Sequence, residues 1–74
     1  MKLEMVEAEN FGPEHVGSLI RFDNTGPRPG WFTILGYHWE YEGHGTRQVL
    51  KIFISSYQAR AYYPEQVIEL MGDF

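Results

Sequence analysis

Residues 23–30, DNTGPRPG, place one Asp, one Asn, two Gly and two Pro in eight positions. Each proline removes a backbone donor and fixes φ, and each glycine adds backbone freedom that an ordered element must give up. No helix and no interior strand survives that composition, so the segment is expected to be an exposed loop joining two strands. In a chain of 74 residues, a break at this point leaves room only for short elements on either side.

The flanking segments carry the period-2 alternation of strands. In GSLIRF (17–22), Ile20 and Phe22 share one face while Leu19 and Arg21 share the other. After the loop, GWFTILGYHWEYEGHG (30–45) holds five of the twelve aromatic residues. Phe32 and Ile34 set one parity; beyond Gly36 the apolar parity shifts to Tyr37, Trp39 and Tyr41. A glycine inside a strand often marks a bulge. A bulge at Gly36 aligns Phe32, Ile34, Tyr37, Trp39 and Tyr41 on one face of a single bent strand. EGHGT (42–46) is expected as a hairpin tip. TRQVLKIFI (46–54) returns with Leu50, Ile52 and Ile54 on one face and Val49, Lys51 and Phe53 on the other. SSYQ (55–58) is a short connection. ARAYY (59–63) is a short strand with Ala59, Ala61 and Tyr63 on one side, and PEQVIEL (64–70) is a tight turn leading into a strand with Ile68 and Leu70 inward. At the other end, KLEMVEAE fits a short strand or a frayed helical turn, and GPEHVG (12–17) fits one helical turn opened by Pro13 and ended by Gly17.

Five short strands without a long helix predict an all-β chain and a small five-stranded barrel, with one short helical turn before the first strand. The order resembles the SH3-like small barrel. YPEQVIEL carries the closest detail, because a proline-opened turn before the last strand looks like that family's 3-10 turn. The resemblance covers residues 16–71 and implies a single domain over 1–74, with residues 1–15 as an N-terminal arm. The peptide-binding members carry an aromatic-acidic motif in the first strand and loop, and paired tryptophans after an acidic loop. Here GSLIRF and DNTGPRPG stand in those places, which leaves no basis for expecting proline-rich peptide recognition. AENFGPEHVGSLIRF is also similar to the start of short bacterial and phage proteins with a PEHxG lead-in to a first strand. That likeness implies an accessory protein modulating a host factor.

Composition narrows the function classes. There is no cysteine, so neither disulfides nor thiolate metal sites are expected, and the cytoplasm is the expected compartment. No apolar run approaches a signal peptide or the roughly 20 residues of a membrane span. A net charge of −4 with six basic residues argues against duplex binding, which rests on cations neutralising phosphates. Ser18, Ser55 and Ser56 lack the strained glycine-flanked turn of a nucleophile, and GPRPG lacks the N–H groups of a phosphate cradle. No enzyme and no cofactor is expected.

Aromatics make up 16% of the chain, more rings than one small barrel buries. Phe22, Phe32, Tyr37, Trp39 and Tyr63 are expected to fill the barrel and its rim. Trp31, Tyr41, Phe53, Tyr57 and Tyr62 are the candidates for an exposed binding face, with Arg28 supplying charge beside Trp31. The leading expectation is a protein-interaction module that binds another protein, or itself, through these residues and the 23–30 loop. One alternative is a nucleic-acid-binding barrel using Arg47, Lys51 and Arg60 with Phe53 and Tyr62. The other is a metal- or small-molecule-binding barrel, its ligands drawn from His15, His38, His44, Glu40 and Glu42.

Overall fold

The computed structural model describes residues 2–22 and 30–72. Seven strands run through them: β1 (Lys2–Glu7), β2 (Leu19–Phe22), β3 (Gly30–Thr33), β4 (Gly36–Tyr41), β5 (Gln48–Phe53), β6 (Ala59–Tyr62) and β7 (Val67–Gly72). Two single 3-10 turns, Ala8–Asn10 and Pro13–His15, complete the regular structure of the described residues. The chain is all-β, as its turn density and short alternations predict. Its strands form two antiparallel sheets, ordered β1-β7-β2-β3 and β4-β5-β6. Among the described residues no ladder joins β6 back to the first sheet, so the sheets do not close into a barrel, and the strands number seven, not five. No helix among the described residues is long and apolar enough to cross a membrane.

The segment expected as an arm is built into the first sheet. β1 pairs antiparallel with β7 from Lys2↔Gly72 to Glu7↔Val67. Beyond β1, the Ala8 N–H donates to the Gln66 carbonyl at 2.8 Å and the Glu9 N–H to the Pro64 carbonyl at 3.0 Å. Val6, Ala8 and Phe11 join the buried core. The turn expected at 12–17 is present: Pro13 opens it, the Gly12 N–H donates to His15 Nδ1 at 3.0 Å, and Gly17 follows at φ +95°. That left-handed conformation favours glycine over residues carrying a Cβ. The expected turn before the last strand is a single hydrogen-bonded turn, in which the Gln66 N–H donates to the Tyr63 carbonyl and Gln66 Oε1 accepts the Tyr63 N–H.

The expected bent strand over 30–41 is two strands in two sheets. The Ile34 N–H donates to the Ser18 carbonyl in the first sheet, and the next N–H, of Leu35, donates to the Phe53 carbonyl in the second. Consecutive amides of an extended chain point to opposite sides, so the chain leaves one sheet and enters the other between these two residues. The parity shift therefore comes from this corner and not from a bulge at Gly36, whose pairing with Phe53 begins an unbroken β4–β5 register. Phe32, Ile34, Tyr37 and Trp39 do face the core as expected, whereas Tyr41 is 65% exposed and Leu35 61% exposed.

The centre of the core is aliphatic: Ile20, Ile34, Leu50, Ile52, Ile68 and Leu70 are its fully buried large side chains. Each contributes about 1.5–3 kcal/mol by leaving water. The rings form a collar around this centre. Phe11 and Phe22 are buried, while Phe32, Tyr37, Trp39 and Tyr62 pack against it half-buried. Tyr63, expected in the barrel or its rim, lies on the opposite face of the second sheet, because Tyr62 takes the core side opposite Leu50.

Candidate functional site

The residues expected to form one binding face lie on several surfaces. Trp31 sits on β3 opposite Arg21, on the outer face of the first sheet, half-buried. Arg28 lies outside the described residues. Tyr41 ends β4 at the hairpin. Phe53 is on the outer face of the second sheet, its ring 5.2 Å from that of His38. Tyr62 packs on the core, and Tyr57 stands 85% exposed in the 55–58 turn.

The basic set also divides. The pairing of Ile52 with Arg60 and Leu50 with Tyr62 puts Arg60 and Tyr62 on the core-facing side of β6, while Lys51 and Phe53 are on the outer side. Arg47 forms an ion pair with Glu65 and lies over the Tyr63 ring, 4.0 Å from its centroid. Lys51 Nζ is 3.3 Å from Glu40 Oε1. These cations do not form one positive face.

The histidines do not converge either. His15 is buried beside Phe11, with ring centroids 5.0 Å apart, and its Nδ1 is used to close the 12–15 turn. His38 Nε2 donates to Glu40 Oε2 at 2.9 Å. Glu42, the other candidate carboxylate, accepts the Tyr63 hydroxyl at 2.6 Å. Among the described residues no three metal-ligating side chains gather. What these groups build instead is a surface network: Glu42, Tyr63, Arg47 and Glu65 fasten the β4–β5 hairpin to the turn before β7.

Two titrations follow from these contacts. The Glu42 carboxylate accepts the Tyr63 hydroxyl and holds it above the ordinary phenol range, with burial adding to the effect. The bond from His38, and then that from Lys51, hold the Glu40 carboxyl below the ordinary glutamate range. A depressed folded-state pKa means that Glu40 stabilises the fold above the unfolded value of about 4.3. That contribution is lost as pH falls through the folded value. Wild type is expected to exceed Glu40→Gln in thermal midpoint near neutral pH, by a small margin because the pair is half-exposed. The two midpoints should converge as the solution is acidified below the ordinary glutamate pKa. A margin that stays constant across that range contradicts the assignment.

Among the described residues two concave surfaces bring aromatic and cationic groups together, one of them lined by Arg21, Arg60 and Tyr62 beside Glu69 and the other more aromatic. The more aromatic one, a cleft of about 360 Å³, is lined by Phe22, Phe32, Ile54, Tyr57, Gln58 and Arg60, where β2 ends and β3 begins. Phe22 and Phe32 are in tilted contact at 5.5 Å. Phe32 folds its ring back over Gly30, where an added Cβ would stand 2.7 Å from the ring and would push it aside. Ser55 Oγ accepts the N–H groups of Tyr57 and Gln58 at 3.4 and 3.1 Å, and the Ile54 N–H donates to the Gln58 carbonyl. The Ser55 side chain thus sets the turn that holds Tyr57 out at the rim. Arg60 lies over the Phe22 ring, 4.9 Å from its centroid.

Of the described residues expected on the protein-binding face, only Tyr57 lines this cleft. Sequence reasoning placed Phe22 and Phe32 in the barrel and Arg60 on a nucleic-acid face. The available signal was the phase of ARAY: an arginine two residues before a core tyrosine shares its face. No family model, no curated protein and no solved structure matches this chain.

Proposed function

We propose that this chain is a non-enzymatic protein-interaction module on an SH3-like plan, which docks another protein at the cleft beside Tyr57. The strand orders β7-β2-β3 and β4-β5-β6, with a hydrogen-bonded turn at 63–66 before the last strand, support that plan. β1 is an addition at the free edge of β7.

The observation that carries the reading is the exposure of Tyr57, at 85%, over an open cleft walled by phenylalanine rings. A folded chain this small gains by burying such a ring, yet the Ser55 turn holds it out. Tyrosine is enriched where partners meet, because a rigid amphipathic ring covers large area at low entropic cost.

The test is affinity capture from lysate of the native host, with protein and nucleic acid both assayed in the eluate. Wild type should retain one protein in near-stoichiometric yield. Tyr57→Ala should weaken that capture by about 30-fold, the size of a hot-spot loss, and Tyr41→Ala should leave it unchanged. Equal capture by Tyr57→Ala, or an eluate of nucleic acid alone, defeats the reading.

A further inference from the structure

We propose that the cleft is a carboxylate pocket: Arg60 receives an acidic side chain of an extended partner segment, and the phenylalanine rings take the apolar residue next to it. This rests on the cleft being the docking site.

Arg60 stands on the core-facing side of β6, in phase with Ile52 and Tyr62. Arg60 is half-buried there, and a partly desolvated cation gains from a compensating contact. For three other cations the compensation is a glutamate: Arg21 has Glu69 at 3.2 Å, Lys51 has Glu40, and Arg47 has Glu65. Arg60 forms no such ion pair among the described residues: it lies over the Phe22 ring, and the carboxylate that shares a second cleft with it, Glu69, is engaged by Arg21. That ring contact, 4.9 Å from guanidinium carbon to centroid, supplies no oxygen acceptor, and the N–H donors of a guanidinium form the fork that matches a carboxylate.

The surroundings favour the same ligand. None of the described carboxylates lines this cleft, although the chain has ten acidic residues and a net charge of −4. Tyr57 and Gln58 add a hydroxyl and an amide to the rim. The floor of Phe22, Phe32 and Ile54 is apolar, so a bare anion leaves most of it unfilled. An acidic residue flanked by a large apolar one satisfies both parts. The charge-assisted bond supplies the preference for acid over amide, and the ring floor supplies the neighbouring contact.

The experiment is an amide NMR titration of the isotope-labelled full chain with two eight-residue peptides. They share a leucine-X-phenylalanine centre, where X is glutamate in one and glutamine in the other. The glutamate peptide should shift the amides of Phe22 and of residues 57–60, and the glutamine peptide should bind at least about 10-fold more weakly. Arg60→Gln should abolish that difference; Arg60→Lys should keep part of it, which separates charge from folding. Lys51→Gln, an equal charge change on the opposite face, should leave it intact. Equal binding of both peptides at the cleft overturns carboxylate recognition while leaving the docking site standing. Shifts confined to other surfaces, or none, overturn the docking site itself. Propionate reproducing the full set of shifts at the same concentration overturns a peptide site in favour of a simple anion site.

Discussion

Phe11→Ala is expected to lower the unfolding free energy by about 3 kcal/mol, the low end for removing a buried ring. Phe11 is 6% exposed, packs edge-on against Tyr37 at 5.0 Å and lies 5.0 Å from His15. Alanine leaves a void between the first sheet and β4 that the surrounding turns cannot fill without giving up their hydrogen bonds. A domain of this size has a total stability of roughly 4–11 kcal/mol, and each kcal/mol moves the midpoint by about 4–8 °C. Thermal and denaturant unfolding should therefore show a midpoint at least about 12 °C below wild type. Val16→Ala, at a half-exposed position five residues on, should stay within about 0.5 kcal/mol. A loss under about 1 kcal/mol for Phe11→Ala would return residues 1–15 to the status of an arm.

The second large effect separates two neighbours. Ile34→Ala should cost about 3 kcal/mol, because Ile34 is 1% exposed at the centre of the aliphatic core. Leu35→Ala should cost no more than about 0.5 kcal/mol, because its side chain is 61% exposed. A single strand running without interruption through 30–41 puts Leu35 in line with Trp31, Tyr37 and Trp39, and makes it the costly one. Denaturant unfolding of the two variants thus reads the position of the corner directly. Comparable losses at both sites would mean that the chain does not change sheets between them.

Much of this fold is legible in the sequence because β2, β5 and β7 are written in phase with burial. Ile20 and Phe22, Leu50 and Ile52, and Ile68 and Leu70 alternate as strands with one buried face require, and all six are buried. β1 is not written that way. Its apolar Leu3 and Met5 face solvent while Lys2 and Glu4 share the phase of buried Val6, so the hydrophobic pattern points to the wrong side. Only its pairing with β7 defines it as a strand, and pairing between distant segments leaves no local signature. The corner at 34–35 is half legible: the parity shift is visible, but a sheet change and a bulge at Gly36 shift parity alike, so the pattern does not separate them. The candidate site was least legible. Exposure of Tyr57 follows from its turn, but Arg60 enters the cleft through the phase of a four-residue strand bearing two alanines, where apolar pattern says little.

The pairing of β1 with β7 also bears on how the molecule reaches its native state. Its partners are separated by 60 residues at Glu7↔Val67 and 70 at Lys2↔Gly72. β2 reaches β7 across a similar span, from Leu19↔Met71 to Ile20↔Leu70. β1 and β7 thus wait on contacts whose loop-closure entropy must be met before any local reward arrives. The β4–β5 hairpin, its extension to β6 and the β2–β3 pair rest on nearer contacts, while β1 and β7 join the first sheet only through the distant ones. Such a chain folds in milliseconds to seconds rather than microseconds, and until its last strand is in place the edge of β2 that pairs with β7 stays open.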